Sequence, residues 1–491
     1  DEGSSPNVVT FSCVLKACGN TRSLETGENI HAEVNKQGLL RDENIILGTA
    51  IVDMYAKCGV LGKAREVFDE LPKRNIVSWN ALIAGYAQHG CSHEALKCFE
   101  LMQDQGFVPN AITFSCILKV CGSIGSIAVG ERIHEEANKQ GLLEENVVLG
   151  TALLDMYAKC GVLVKAREVF EKLPRRNVVS WTALIAGYTQ HGYGDEALNC
   201  FKRMIDEGLS PNTVTFISIL KACSSVASLK MGEEIHGEVK KKGLLGDMVL
   251  GTALVDMYAK CGVLIKAQEV FDELPERNVV SWSALVSGYA QHGLGEEAVK
   301  YFHRMQAEGV SPNAITFVSI LKACGSIGAA GKGKEVHAEI LREGLLDKNI
   351  LVGNALVDMY AKCNMPLRAH DVFDSLPAHN VVSWTSLIAG YAQHEHGHEA
   401  TNCFEQMQNE GFLPNAVTFV CILKACGSIG AGSRGKEIHS MLARNEILKD
   451  NVLVGNALVD MYAKCGIPAK AQQVFDELTV RDAFSWNALI N

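Results

Sequence analysis

Four histidines, His31, His134, His236 and His337, each stand two residues before a glutamate. H-x-E is the spacing with which zinc deaminases bring an imidazole ligand and a proton-shuttling carboxylate to one metal, and a following P-C-x-x-C completes that site. The chain has 17 cysteines but no C-x-x-C, so zinc-ribbon and thioredoxin-type chemistry lose their key feature as well. It has no P-loop or G-x-S-x-G. The histidines recur once per sequence period and read as structural. No catalytic residue, metal ligand or cofactor is assigned, and no enzyme is expected.

The residues with usable chemistry are hydrogen-bonding ones at fixed spacing. Thr49, Asn80, Thr151, Thr182, Thr252, Ser283, Asn354, Thr385, Asn456 and Asn487 occupy one position of otherwise apolar segments, and that position is always Asn, Thr or Ser. A second recurring position holds Asn75, Asn110, Asn177, Asn212, Asn278, Asn313, Asn380 and Asn415, with Asp482 as the exception. An amide or hydroxyl can match the mixed donor and acceptor edge of a nucleobase, whereas a carboxylate only accepts. Asn, Thr and Ser are also preferred at helix starts and turns. The second position therefore reads equally as a set of helix caps. The first lies one turn into a segment of helical period, beyond the reach of capping.

These residues need elements to hold them, and the elements repeat. Five Ser-Trp pairs place Trp79, Trp181, Trp282, Trp384 and Trp486 at spacings of 102, 101, 102 and 102. Each period contains three related segments, of 35, 36 and 31 residues in the first complete set: 76–110, 111–146 and 147–177. In 76–110, Trp79, Leu82, Ile83 and Tyr86 fall at helical spacing, Gly90 stops the helix, and Ala95, Leu96, Phe99 and Met102 form a second apolar stripe. Gly106 and Pro109 end it. A hairpin this small cannot bury both stripes alone; stacking on its neighbours does so. The tryptophans are expected in the core.

The 47% hydrophobic content and 21% charge are ordinary, and no apolar run approaches the roughly 18 residues of a membrane helix. The net charge of −10 argues mildly against a phosphate-binding surface. The cysteines recur with the period, in one set at Cys58, Cys160, Cys261, Cys363 and Cys465 and another at Cys18, Cys121, Cys223, Cys324 and Cys426. They read as small apolar residues in a reducing compartment. The chain starts at Asp1 without methionine and stops at Asn491, so it is expected to be part of something longer.

The strings VVSWTALIAGYTQHG at 178–192, ALVDMYAKCG at 253–262 and 457–466, and TFSCILKVCGSIG at 113–125 closely resemble pentatricopeptide repeat proteins of the plant PLS class. The tetratricopeptide pattern W-x2-L-G-x2-Y is absent. The resemblance covers nearly everything from Val8 onward. It implies an all-α, right-handed superhelical α-solenoid of helix-turn-helix repeats. After a linker or partial repeat at 1–7 come fourteen repeats in long, short, standard order. Long repeats are 8–44, 111–146, 213–247, 314–349 and 416–451; short ones are 45–75, 147–177, 248–278, 350–380 and 452–482. Standard repeats are 76–110, 178–212, 279–313 and 381–415, and 483–491 begins another. The two polar positions become the fifth and last residues of short and standard repeats.

Such repeats read single-stranded RNA at one base each. The resemblance implies base reading by the fifth and last residues: Thr or Ser with Asn favours adenine, Asn with Asn pyrimidines, Asn with Asp uracil. The expected ligand is 5′-nAYnAAnAAnYAnU-3′, where n marks long repeats, which carry Ile217, Val318 and Val420 at the fifth position. Second residues Ile46, Val77, Val148, Val179, Val249, Val280, Leu351, Val382 and Leu453 are expected to wedge between bases; the alternative is core packing. Lys57, Lys159, Lys260, Lys362 and Lys464 are expected to face phosphate, with acidic residues on the second helices, or else to be a solvated charge stripe. The family further implies a chloroplast or mitochondrion and the target-recognition part of a cytidine-to-uridine editing factor. Editing accessory proteins or a deaminase-bearing partner follow from that; a membrane and a small-molecule substrate do not. The rival reading is a protein-interaction scaffold, but a peptide groove has no reason to restrict the fifth position to Asn, Thr and Ser.

Overall fold

The computed structural model describes residues 6–40, 44–144, 146–444, 451–478 and 480–490. Residues 1–5 of the expected leading segment lie outside the described residues, as do 41–43, 145, 445–450, 479 and 491 within the expected repeats. The described residues form 29 α-helices and one 3₁₀ turn, Leu244–Gly246, with no strand.

Helices come in pairs because each apolar stripe is closed by a residue that cannot continue the helix. Ile76–Gln88 is followed by Gly90 at φ 74°, and Ser92–Asp104 by Gly106 at φ 81°, both left-handed conformations that cost glycine nothing. Second helices distinguish the repeat types. They run 13 residues in Ser92–Asp104 and Gly194–Asp206 but 10 in Leu61–Glu70 and Leu163–Lys172.

The chain divides into two compact units, residues 1–231 and 232–491. Within the first, Ile45–Lys57 packs against Val8–Thr21 before it, Ile76–Gln88 after it and its own hairpin partner Leu61–Glu70. Val147–Lys159 does the same between Ala111–Ile124 and Val178–Gln190. In the second unit, Ile350–Lys362 sits likewise between Ala314–Ser326 and Val381–Gln393. Within each unit, first helices thus form one layer and second helices the other.

Trp79, Trp181, Trp282 and Trp384 are buried, each with its ring edge-to-face on a phenylalanine of the preceding second helix. The centroid distances are 4.6, 4.5, 4.6 and 4.5 Å for Phe68, Phe170, Phe271 and Phe373. Trp486 departs from the expected core position: it packs on Phe475 at 4.7 Å but is 53% exposed. First helices meet closely because glycine faces alanine. A Cβ on Gly187 would lie 2.6 Å from Ala158 Cβ, and one on Gly85 2.5 Å from Ala56 Cβ.

Candidate nucleic-acid interface

The last residue of each short and standard repeat is a helix cap. Asn75 Oδ1 accepts from the Val77 and Ser78 amides at 3.0 and 2.9 Å, and Ser78 Oγ accepts from the Asn75 amide at 3.1 Å. The same reciprocal box closes at Asn110, Asn177, Asn212, Asn313, Asn380 and Asn415. Asn278 caps through its side chain alone. This satisfies backbone donors that the first turn leaves free. It also orients the amide. With Oδ1 held by the backbone, the group left to turn outward is the Nδ2 amino donor, except at Asn278, whose Nδ2 donates to Met248 Sδ at 3.1 Å, so the mixed donor and acceptor face expected of these residues is reduced to a donor. Asp482 caps the next helix through the Ser485 amide at 2.8 Å. That amide, with the Ser485 hydroxyl and Asn456, holds the Asp482 carboxyl below its ordinary value of 3.8, so it stays an acceptor.

The fifth residues lie just beneath the surface. Thr49, Asn80, Thr182, Thr252, Ser283, Asn354, Thr385 and Asn456 are 4 to 9% exposed, Thr151 is half-buried, and Asn487 is exposed. Fifth and last residues of one repeat, far apart in sequence, meet in space. Asn80 Nδ2 donates to Asn110 Oδ1 at 3.2 Å, Asn354 Nδ2 to Asn380 Oδ1 at 3.4 Å, and Asn456 Nδ2 to Asp482 Oδ1 at 3.0 Å. Ser283 Oγ donates to Asn313 Oδ1 at 3.3 Å. Stacking of consecutive first helices causes this: the last residue opens the next first helix, beside the fifth residue of its own.

The second residues are not core. Ile46, Val77, Val148, Val179, Val249, Val280, Leu351, Val382 and Leu453 are 54 to 73% exposed. Sequence reasoning left out the same position of the long repeats, Val9, Ile112, Val214, Ile315 and Val417, which is equally bare, as is Phe484 of the last segment. The signal was present as an aliphatic residue after each cap. In the first compact unit a cleft of about 470 Å³ is lined by Val148 and Val179, with Thr151, Asn177, Asp155 and Lys119 among its walls. Two bare aliphatic side chains and one fifth–last pair thus share one cavity.

The expected phosphate-facing lysines are each committed. Lys57, Lys159, Lys260, Lys362 and Lys464 donate to Asp53, Asp155, Asp256, Asp358 and Asp460 at 2.7 to 2.8 Å. Acidic residues were expected on the second helices, but these five stand on the first. The D-x-x-x-K spacing puts the pair on one helix face. Five other lysines, Lys16, Lys119, Lys221, Lys322 and Lys424, one in each long repeat, are exposed and form no ion pair among the described residues. The L-K-A-C and L-K-V-C strings that carry them were visible in sequence.

The recurring histidines are structural. His31, His134, His236 and His337 bond through Nδ1 to Tyr55, Tyr157, Tyr258 and Tyr360 at 2.9 to 3.0 Å, and His439 does the same with Tyr462. Burial lowers the pKa of all five imidazoles. Burial likewise pushes the Cys121, Cys324 and Cys426 thiols up to about 11, away from the reactive thiolate.

A family model described as the PPR repeat family matches residues 74–123, 176–225, 277–326 and 379–428, and one described as the PPR repeat matches 49–76, 151–178, 252–279, 354–381 and 456–482. A chloroplastic pentatricopeptide repeat-containing protein of Arabidopsis thaliana is 38% identical over 483 residues, 98% of this chain and 77% of that protein. A mitochondrial one from the same plant is 38% identical over 479 residues, 97% of this chain but 46% of its own length. The crystal structure of the maize pentatricopeptide repeat protein PPR10 matches with a TM-score of 0.59 at 22% identity, covering 99% of this chain and 75% of that one. The same maize protein in complex with an 18-nt psaJ RNA element matches with 0.58 at 18% identity, covering 100% and 77%. At these identities the likeness shows the fold.

Proposed function

The chain belongs to the pentatricopeptide repeat family, and from that premise we propose that it binds single-stranded RNA sequence-selectively, about one base per repeat. The observation that carries the reading is the cleft shared by Thr151, Asn177, Val148 and Val179. A base edge meets the polar pair while the aliphatic side chains cover its faces without choosing among bases. The maize relative supports it, since that protein is held in complex with an RNA element.

We take the fourteen segments named above as the reading repeats, in the PLS order, with the ligand 5′-nAYnAAnAAnYAnU-3′. The readers are the fifth–last pairs from Thr49 with Asn75 to Asn456 with Asp482. The nine second residues of short and standard repeats are the wedges, and their long-repeat equivalents join them. The Lys57 set contributes to phosphate binding only by leaving its aspartates, so the five unpaired lysines are the stronger phosphate candidates. The chain then acts as the target-recognition region of a cytidine-to-uridine editing factor in a chloroplast or mitochondrion, where its named relatives are placed. Accessory proteins or a deaminase-bearing partner would supply the chemistry.

The test is binding of a fluorescent 14-nucleotide RNA of the proposed sequence against the same strand with A and Y positions exchanged, at fixed salt. A preference of about tenfold, ~1.4 kcal/mol, is expected. Equal binding to both would sink base reading, and no binding to either would move a protein-interaction groove to first place.

A further inference from the structure

Asn456 apart, the fifth residues fall into two chemical classes that follow the repeat type. In short repeats, Thr49 Oγ1, Thr151 Oγ1, Thr252 Oγ1 and Asn354 Oδ1 are buried atoms with no hydrogen-bond partner. A buried polar atom left so is disfavoured by roughly the worth of a hydrogen bond or more. In standard repeats every fifth residue is bonded, always to the threonine at the third position of the following long repeat. Thr113 Oγ1 donates to Asn80 Oδ1 at 2.6 Å. Thr182 and Thr215 pair through their hydroxyls at 2.7 Å, Ser283 and Thr316 at 2.6 Å, Thr385 and Thr418 at 2.7 Å. All four threonines are completely buried, and each also reaches the last residue of the standard repeat, as Thr215 does Asn212 Oδ1 at 2.9 Å.

The third residue after a short repeat is serine instead, and it turns away. Ser78, Ser180, Ser281 and Ser383 donate to the backbone carbonyl of their own cap at 2.8 to 2.9 Å. Ser485 alone reaches back to a fifth residue, Asn456, at 2.6 Å.

We infer that base selectivity is set by three side chains in standard repeats, the third being the buried threonine of the next long repeat, and by two in the short repeats read by Thr49, Thr151 and Thr252, whose hydroxyls are unpartnered until a base arrives. This rests on the RNA reading above. In a standard repeat the threonine is already bonded to the fifth residue, so the base competes with an internal bond. In the short repeats with an unpartnered fifth-residue atom the base satisfies it, and a mismatched base forfeits the full bond. The threonine touches the reader rather than the base, so it is a positioning residue. It also gives the long repeats a part in recognition although several lack a polar fifth residue of their own.

The experiment measures the mismatch penalty, A to G, at the fifth and sixth nucleotides of the 14-nucleotide strand. These are read by Thr151 and Thr182. The wild-type penalty is expected to be larger at the fifth nucleotide by at least about twofold, the lower end of what one net hydrogen bond supplies. Thr215→Val removes the hydroxyl at nearly constant volume and should raise the penalty at the sixth nucleotide alone. Thr215→Ser, whose hydroxyl can turn to the Asn212 carbonyl as Ser180 does to that of Asn177, should shift it in the same direction. Thr316→Val, read at the ninth nucleotide, repeats the test in the other compact unit should the first variant fold poorly. An unchanged penalty at the sixth nucleotide in a folded Thr215→Val chain, or an equal change at both, would overturn the inference while leaving RNA binding intact. A wild-type chain that binds no strand overturns the RNA reading and the inference together.

Discussion

At the scale of single residues, the histidine–tyrosine bond recurs between neighbouring repeats, and its chemistry fixes a pH dependence. His134 Nδ1 lies 3.0 Å from the Tyr157 hydroxyl. Burial, then Lys172 and Lys165, lowers the imidazole below its ordinary 6.5, outweighing Glu131 and Glu135. The Tyr157 hydroxyl is pushed up to about 12 by burial and stays a donor. In its Nε2–H tautomer the neutral imidazole accepts that proton; a protonated one could not. Because the folded value is depressed, the unfolded chain takes up protons first as pH falls. The stabilisation is therefore intact above about pH 6.5 and declines below it. His134→Gln keeps an acceptor that does not titrate. The melting temperature of wild type should exceed that of the variant at pH 7.5, and the gap should narrow at pH 5.5. A gap independent of pH would mean the bond is not linked to protonation. The H-x-E spacing made these residues conspicuous in sequence, but their partner tyrosines lie 21 or more positions away, and no local pattern connects the two.

At the scale of elements, the two-helix repeat was legible because its evidence is local: apolar residues at helical spacing, a cap before, a glycine after. The side chains' partners were less so. Sequence placed Asn75 before a helix but left open whether it caps or reads, and the geometry makes it a cap whose amino group remains available. Lys57 looked like a free cation, although Asp53 four residues earlier was in view. The contrast between Thr113 and Ser78 depends on rotamer choice at equivalent positions, which composition does not encode. Close helix approach is likewise a property of pairs. Glycine inside a helix ordinarily gives way to alanine with a gain of roughly 0.5–1 kcal/mol. Gly62→Ala, at an exposed site where a Cβ meets nothing within 4 Å, should show that gain as a raised denaturation midpoint. Gly187→Ala should do the reverse. Its Cβ would fall 2.6 Å from Ala158 Cβ and 3.2 Å from Ala158 Cα, which is backbone and cannot turn aside. Overpacking of this kind costs about 1–3 kcal/mol, more than the helical gain. Matching signs in the two variants would show that the helix contact is looser than described.

At the scale of the whole molecule, charge must be reconciled with the polyanionic ligand proposed above. The chain carries 56 acidic and 46 basic residues, so its long-range field repels RNA, and association must rest on local cations. Ten lysines recur with the repeats, and the two sets differ in what surrounds them. Each of the Lys57 set is neutralised by an aspartate within 2.8 Å, and to meet a phosphate it must break that bond, leaving a carboxylate beside the strand. The five long-repeat lysines break nothing. For a single strand, the logarithm of affinity falls with the logarithm of salt by roughly 0.7 per phosphate neutralised. Glutamine at Lys16, Lys119, Lys221, Lys322 and Lys424 together should therefore reduce the slope by up to about 3.5. Neutralising the other set must remove each lysine with its aspartate, as Lys57→Gln with Asp53→Asn, so that net charge stays constant; the slope should then change little. The reverse ranking would return phosphate binding to the Lys57 set and show that the ion pairs open when RNA arrives. The first ranking would give the long repeats two distinct tasks: holding the backbone with a lysine, and tuning the preceding standard repeat with a buried threonine.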